Sequence, residues 1–395
     1  PPPSLCALPF VSHSTRELMS EGVAAANSVA KGEGPSNEHE KALDFANYFS
    51  SYGYIYHQKE MLQDCIRMDS YRTAILGNKE CFQGKAVLDV GSGSGVLAIW
   101  AAMAGARVVF AVEATSMAKN ARRLAEANGV SHIIQVFQGY MEQIQLPEKV
   151  DIIISEWMGH FLLRESMLDP VICARQRWLK PGGACYPSEA SLFLAPLQSS
   201  LYLPKLNEYE KEITSWSSFK EYMRTENHLE MECLDTDWEK EHRDYWLHSC
   251  LWQQIDPAEV IGSSARLLHF KVDTVTQSDV ATFTTPFVLE IHTDSEVSGF
   301  GSWFKTAFLG SATAPVTTQI TLSTEPPSDT HWGQQVLLLH PPQLALAGDI
   351  LDGEFTLGRQ PENHRLLWIQ MTLRHTRPMT NEEVYPERTL NYRVD

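Results

Sequence analysis

The chain has 395 residues, 43% of them apolar and 21% charged, which is enough for two or three domains with a full hydrophobic core. Its formal net charge of −17 comes without any Lys/Arg-rich run, arguing against direct nucleic-acid binding and for attraction of basic partners. Seven scattered cysteines without a C-x-x-C pair argue against a disulfide framework, and no run approaches the ~18 apolar residues of a membrane span.

Residues 1–43 read as an extension, because "AAANSVAKGEGPSNEHEK" is small, polar and broken by Gly and Pro. From Asp44 the pattern turns helical through "YFSSYGYIY" and "EMLQDCIRMDSYRTAIL". Strand and helix signals then alternate. "KAVLDV" is a short apolar strand, "VLAIWAAMAGA" a buried helix and "RVVFAVEA" a second strand. "SMAKNARRLAEANG" is an amphipathic helix stopped at Asn128-Gly129, and "HIIQVFQG" and "VDIIISE" are further strands. Such alternation predicts βαβ units and a parallel sheet. "LKPGGACYPSEASLFLAP" reads as a turn entering extended chain. Leu203 to Tyr245 is rich in charges and aromatics and reads as helical. From Ala265 onward short strand-like runs dominate, from "RLLHFKVDTV" to "RLLWIQMTLRH", and suggest a barrel or sandwich. The expected plan is an extension (1–43), an α/β part (44–187) and a β part (188–395) with a helical insertion at about 203–245.

Val87 to Gly95 reads "VLDVGSGSG", whose glycines let the backbone turn sharply and approach a ligand. A nicotinamide site needs G-x-G-x-x-G/A, and the sixth position here is Val96. Asp89 precedes the glycines, where a pyrophosphate is disfavoured. Glu113 lies 18 residues beyond Gly95 at the end of the next strand, a place for gripping ribose hydroxyls. Ribose, a positive centre and no phosphate together describe S-adenosylmethionine. Arg67 on the preceding helix is a candidate partner for its carboxylate. The bland alternative is a tight βα turn and nothing more. A second feature is "SEWMGHFLLRESML", which holds Glu156 and Glu165 nine residues apart. On one regular helix they would face opposite sides, and from spacing alone two unrelated surface ion pairs explain them equally well.

"VLDVGSGSGVL", "DIIISEWMGHFLLRESML", "YFSSY" and the late "THW" together resemble the protein arginine methyltransferases, over nearly everything from about Asp44 onward. Among them the chain is most similar to the plant members of the type I group, the asymmetric dimethylators. The resemblance implies an α/β plus β fold: a Rossmann-like S-adenosylmethionine-dependent methyltransferase domain, then a β-barrel domain with a helical dimerisation arm. It implies that Glu156 and Glu165 form a hairpin that leaves a strand at Ile154, bends at Gly159 and returns. Two carboxylates then hold one planar guanidinium. His331 of "THW" and Asp64 match a family pair, as base or as a tie for the N-terminal helix, although a histidine in a strand-rich region is more often structural.

The implied cofactor contacts are Tyr48, Gln58, Met61, Arg67, Asp89, Gly91, Gly93, Gly95, Glu113, Ala114, Met141 and Glu142. The implied substrate contacts are Tyr52, Met61, Trp157, Met167 and Trp332. Gln58 stands where many members have a histidine, Arg164 where an aromatic is common, and Pro187 matches a proline that is commonly cis. No metal is expected, and the product cofactor is S-adenosylhomocysteine. The implied partners are arginine-containing proteins with basic tails, such as histones and Gly/Arg-rich proteins, and a second copy of the chain bound through the arm. No nucleic acid or membrane partner is expected. No secretory signal opens the sequence, which begins at Pro1, and the scattered cysteines suit a cytoplasmic or nuclear setting.

Two rival functions differ in class. Methylation of a nucleic acid or small molecule would lead us to look for a basic patch, or for base-stacking aromatics beside the glutamates. A non-catalytic binder of arginine-rich tails is expected to lose one glutamate or the glycine loop, and this chain keeps both.

Overall fold

A computed structural model describes residues 49–380 and 382–394, so Tyr48 and the 1–43 extension lie outside the described residues. The described residues open in helical backbone at 49–52, and the helices α1 (Ile55–Gln63) and α2 (Cys65–Leu76) follow. Asp64 separates them with ψ 97°, and its side chain caps α2 by accepting the Arg67 N–H at 2.9 Å. The segment that reads as one helical run is therefore two helices with a cap between them. A short helix, α3 (Lys79–Phe82), follows.

The α/β part runs β1 (Ala86–Val90), α4 (Val96–Met103), β2 (Val108–Glu113), α5 (Ala118–Ala127), β3 (Ile134–Gln138), β4 (Val150–Ile154), α6 (Leu168–Trp178) and β5 (Leu179–Tyr186). All five strands are parallel, in the order β3-β2-β1-β4-β5. Every residue of β1 and β2 is buried, as expected where helices cover both faces of a parallel sheet. The order reverses between β1 and β4, so a crevice opens at the carboxyl ends of those strands. The stretch read as a turn at Lys180–Gly183 differs. It belongs to the edge strand β5, whose pairing with β4 breaks register between Val150 and Ile152. Gly182 there has φ +74°, and the glycines absorb the extra residues without ending the strand.

The chain then crosses a cis Tyr186–Pro187 bond into β6 (Glu189–Leu197). The rest comprises α7 (Tyr202–Asn227), α8 (Asp235–Trp246), β7 (Leu251–Gln253), β8 (Ala265–Lys271), α9 (Gln277–Ala281), β9 (Thr282–Glu290), β10 (Ser295–Gly310), β11 (Pro315–Ser323), β12 (Gln334–Ala345), β13 (Ile350–Arg359), β14 (Leu367–Arg377) and β15 (Glu382–Val394). These strands form two antiparallel sheets that make the barrel-like half. One has the order β7-β12-β10-β6-β8 with β11 added on β10, and the other β15-β14-β13-β9. β14 alternates as a half-buried strand should, sending Leu367, Ile369, Met371 and Leu373 inward. β10 is instead buried continuously from Val297 to Phe304. Tyr71 of α2 packs edge-on against Phe308 of β10 at 5.0 Å, and Phe82 packs on Tyr186 at 5.2 Å. This aromatic seam fixes α2 above the crevice.

α7 and α8 form a hairpin that stands off the barrel. Its aromatics stack on one another in the order Tyr209, His242, Trp238, Trp216, Phe219, with successive ring centroids 4.6, 4.5, 5.0 and 5.4 Å apart. At the root, Tyr202 Oη lies 2.9 Å from His340 Nδ1, and Lys205 sits over the Trp246 ring at 4.8 Å. The stack uses one side of the hairpin. Leu203 and Tyr222 remain 64% and 58% exposed.

Candidate functional site

The crevice is built from loops that leave β1, β2 and β4. Gly91, Gly93 and Gly95 have φ values of +71°, +52° and +84°, a conformation that costs other residues about 1–2 kcal/mol. Gly93 is also tightly overlaid, since a Cβ there would lie 2.8 Å from Gln58 Oε1.

Two carboxyl groups stand beside this loop. Asp89 is fully buried, and its Oδ2 accepts the Ala98 N–H of α4 at 3.0 Å. Its Oδ1 has no hydrogen-bond partner among the described residues. Burial pushes the Asp89 carboxyl up to about 8, against the lowering by the Ala98 N–H, and the charge of Glu113 adds to the rise. Glu113 closes β2 and is 7% exposed, with Oε2 accepting Gly93 N–H at 2.8 Å and Oε1 accepting Thr115 N–H at 2.7 Å. Each Glu113 oxygen keeps a lone pair for a hydroxyl donor. A site with an orphaned, partly neutral acid beside a second carboxylate favours a cationic ligand, which would draw the proton off Asp89.

This has a pH consequence in the ligand-free chain. The folded Asp89 value of about 8 lies above an unfolded value of about 3.9. The folded state therefore binds the proton more tightly. That contribution is complete below the unfolded value and is lost as pH rises through about 8. Asp89→Asn removes the titration while keeping an acceptor for Ala98. Its melting temperature relative to the parent is expected to climb steadily from pH 5 to pH 8. A difference that stays flat across that range contradicts the assignment.

Arg67 does not stand free to meet a ligand carboxylate. Its Nε and Nη2 both donate to Glu156 Oε2, at 3.1 and 2.9 Å, and its Nη1 donates to the Met61 carbonyl at 3.1 Å. The pair is mostly buried, with side-chain exposures of 11% and 12%, so the opposite charge prevails over solvent. Glu156 follows β4 directly. Its backbone is held there by Tyr71 Oη, which donates to the Ser155 carbonyl at 2.9 Å, and by Ser155 Oγ, which donates to the Val90 carbonyl at 2.7 Å.

The chain then turns back on itself. A bridge pairs Gly159 with Leu162, and a Cβ on Gly159 would overlap the Arg164 carbonyl oxygen. Phe161, Leu162, Glu165 and Ser166 all have positive φ, Glu165 at +80°, which is strained backbone for non-glycine residues. Buried Phe161, Leu162 and Leu163 anchor the turn. The Glu165 N–H donates to the Arg365 carbonyl at 2.8 Å, and Ser166 Oγ donates to the His364 carbonyl. The Glu165 carboxylate is thereby fixed, with Oε2 accepting from Tyr52 Oη at 3.1 Å and Oε1 lying 3.5 Å from Arg164 Nη1.

Asp64 links α2 to the barrel. Its Oδ2 lies 2.7 Å from His331 Nδ1 and accepts the His331 main-chain N–H at 2.9 Å. Burial alone would raise the Asp64 carboxyl, but the His331 hydrogen bond and charge and two backbone donors hold it below the usual carboxylate range. Trp332 is 4% exposed, and its Nε1 donates to the Met158 carbonyl at 2.9 Å, so it braces the turn from beneath. Trp157 is 2% exposed and packs on Phe270 at 5.9 Å, turned into the core. Neighbouring side chains on a chain leaving a strand point to opposite faces, and Glu156 takes the crevice side.

The remaining positions fall as follows. Met167 lies beside the glycine loop, its Cε 3.2 Å from where a Gly91 Cβ would be. Met141 is buried and Glu142 exposed, and the carbonyls of both accept from Arg177 Nη1, at 3.3 and 2.6 Å. Ala114 is half-buried next to Glu113. Arg365 and His364, the main-chain anchors of Glu165, carry no local signal in the sequence, because they reach the site from the loop between β13 and β14. Among the described residues no group of three or more His, Cys, Asp or Glu side chains is arranged to hold a metal.

Comparison with known proteins places the chain in a family. Residues 190–378 match the family described as "Arginine methyltransferase oligomerization subdomain", and residues 74–185 match "Ribosomal protein L11 methyltransferase (PrmA)". The chain is 47% identical over 354 residues to Protein arginine N-methyltransferase PRMT10 of Oryza sativa subsp. japonica, covering 89% of this chain and 93% of the relative. With PRMT10 of Arabidopsis thaliana it shares 43% over 343 residues, covering 86% and 90%. Among solved structures, Arabidopsis thaliana protein arginine methyltransferase 10, described as having a uniquely open conformation, superposes with a TM-score of 0.86 at 40% identity, over 88% of this chain and all (100%) of that one. A Trypanosoma brucei PRMT1 enzyme–prozyme heterotetrameric complex with AdoHcy gives a TM-score of 0.72 at 31% identity, over 87% of this chain and 100% of that one.

Proposed function

This chain belongs to the protein arginine N-methyltransferase family, transferring methyl groups from S-adenosylmethionine to arginine and releasing S-adenosylhomocysteine, and from that premise we propose that it is a type I enzyme ending at asymmetric dimethylarginine. Its substrates on this reading are proteins with basic tails, histone-like or Gly/Arg-rich, drawn by the net charge of −17 and met in the cytoplasm or nucleus. One observation carries the reading of the substrate site. Glu156 already holds a guanidinium, that of Arg67, through two nitrogens on one oxygen.

The residues present fit the cofactor. Asp89 Oδ1 is an orphaned buried acceptor, Glu113 has lone pairs for ribose hydroxyls, and the glycine backbone leaves room for close approach. We assign Glu113, Asp89, the glycine loop and the Met141–Glu142 segment to holding it, with Arg67 moving from Glu156 to its carboxylate. Bound S-adenosylmethionine supplies an electrophilic methyl on a sulfonium.

The chain's own groups do the rest. Glu156 and Glu165 bind the substrate guanidinium and keep its positive charge on the nitrogens they face, leaving lone-pair density on the third. Fixing that nitrogen in line for attack can supply about 7–11 kcal/mol of the barrier. With Nδ1 of His331 tied to Asp64, Nε2 is the atom left to accept the departing proton. The flanking bulk of Met61 and Met167 favours a second methyl on the nitrogen already methylated. Hydrolysing a Gly/Arg-rich peptide after transfer of a labelled methyl tests the proposal. Label in monomethylarginine and asymmetric dimethylarginine supports it, and symmetric dimethylarginine overturns it.

Glu113→Ala is expected to weaken S-adenosylhomocysteine binding by roughly 1–3 kcal/mol, the worth of hydrogen bonds to a charged group. Calorimetry is the check, and unchanged affinity removes Glu113 from the ribose site.

A further inference from the structure

We propose that Gln58 is a positioning residue that couples the state of the glycine loop to the setting of Glu165. The inference rests on the reading of Glu165 as half of the guanidinium clamp. α1 is unusual in what it buries. Helices normally dock through an apolar stripe, yet the buried residue of α1 is the amide Gln58, at 7% exposed. Ile55 and Tyr56, at its start, are 64% and 65% exposed.

The amide has one partner on each side. Oε1 accepts the Ser94 N–H of the glycine loop at 3.2 Å, and Nε2 donates to the Tyr52 carbonyl at 3.2 Å. Tyr52 Oη in turn donates to Glu165 Oε2 at 3.1 Å. Three hydrogen bonds thus connect the loop that receives the cofactor to a carboxylate that receives the substrate. The amide also packs closely on the loop, since a Cβ at Gly93 would lie 2.8 Å from Gln58 Oε1. A shift of the loop thus acts on the amide through this contact and through the Ser94 hydrogen bond. The amide offers an acceptor to Ser94 and a donor to Tyr52 at once. A carboxylate keeps the acceptor alone, and a hydrocarbon keeps neither.

A merely structural amide would stabilise α1 without linking the two ligands. Linkage separates the two ideas, since coupling between sites must act equally in both directions. The measurement is the calorimetric affinity of S-adenosylhomocysteine with and without a saturating Gly/Arg-rich peptide, in the parent, Gln58→Leu, Gln58→Glu and Tyr52→Phe. In the parent the peptide is expected to tighten binding by roughly five-fold or more. In Gln58→Leu and Tyr52→Phe the ratio should fall to about one, and combining the two should change it no further. If Gln58→Leu does not fold, the near-isosteric Gln58→Glu carries the test, since it keeps the Ser94 contact and loses the one to Tyr52. Two results overturn the proposal: either glutamine variant keeping the parent ratio, or a parent that methylates the peptide yet shows no coupling. Failure of the underlying function looks different, because the parent would then transfer no methyl to arginine at all.

Discussion

Glu165→Gln should lower turnover by at least about 100-fold, the usual loss when one preorganised charge facing the reacting group is removed. The side chain keeps its size, and the backbone bond from its N–H to Arg365 survives. S-adenosylhomocysteine binding should therefore stay within a few-fold of the parent. Glu156→Gln should lose turnover to a similar extent, with an added effect on stability. Arg67, whose side chain is only 11% exposed, would lose its counter-ion, at a cost on the order of 1–3 kcal/mol. Steady-state rates with a Gly/Arg-rich peptide, set beside calorimetry and melting curves, separate the two variants. Near-normal turnover in Glu165→Gln would sink the clamp.

Replacing residues 203–245 by a short Gly/Ser linker should give a folded monomer with little activity. The cut is feasible because the hairpin closes at its root, where Lys205 lies over Trp246. Tyr202, which is buried and bonded to His340, is left in place. The matched oligomerization subdomain supports an assembly, and we assign its contact to the exposed apolar residues of the hairpin. Toward the far end of the hairpin Tyr222 and Leu229 are 58% and 53% exposed, and we expect that end to meet Tyr54, Ile55 and Tyr56 of a second copy, which are 64%, 64% and 65% exposed beside the site. Covering them would hold α1, and with it Gln58 and Tyr52, over the crevice. Salt should weaken only the charged rim of such a contact. Sedimentation of the deletion variant beside the parent decides the matter. A parent that sediments as a monomer while turning over would show that the hairpin serves another purpose.

The parts of the fold that follow local patterning are legible in the sequence. Continuous apolar runs mark β1, β2 and β4, and an amphipathic pattern ending in Asn128-Gly129 marks α5. The fold departs from pattern where long-range pairing overrides local chemistry. Lys180–Gly183 has the composition of a turn yet lies within β5, because the sheet edge accepts a bulged strand. β15 has no readable strand signal. It carries Pro386 and several charges, which an edge strand tolerates on its exposed side, and it is held by its long register with β14.

The site divides in the same way. The return of the chain between Glu156 and Glu165 is legible only through the family resemblance, because their spacing alone leaves two unrelated ion pairs equally open. The pairing of Arg67 with Glu156 is not, because it depends on how α2 is seated by the aromatic seam with β10. Nor is the inward turn of Trp157, which depends on Phe270 more than a hundred residues later. Gln58 reads as a cofactor contact that stands where many family members have a histidine, and only its two partners reveal it as a bridge.

The central claim is that Glu156 and Glu165 together receive the substrate guanidinium, displacing the chain's own groups. A structure of the chain with S-adenosylhomocysteine and an arginine peptide tests it most directly. The claim predicts the peptide guanidinium within hydrogen-bond distance of both carboxylates, Arg67 withdrawn from Glu156, and one guanidinium nitrogen facing the sulfur. A guanidinium bound elsewhere, or touching neither glutamate while Arg67 stays on Glu156, would contradict it.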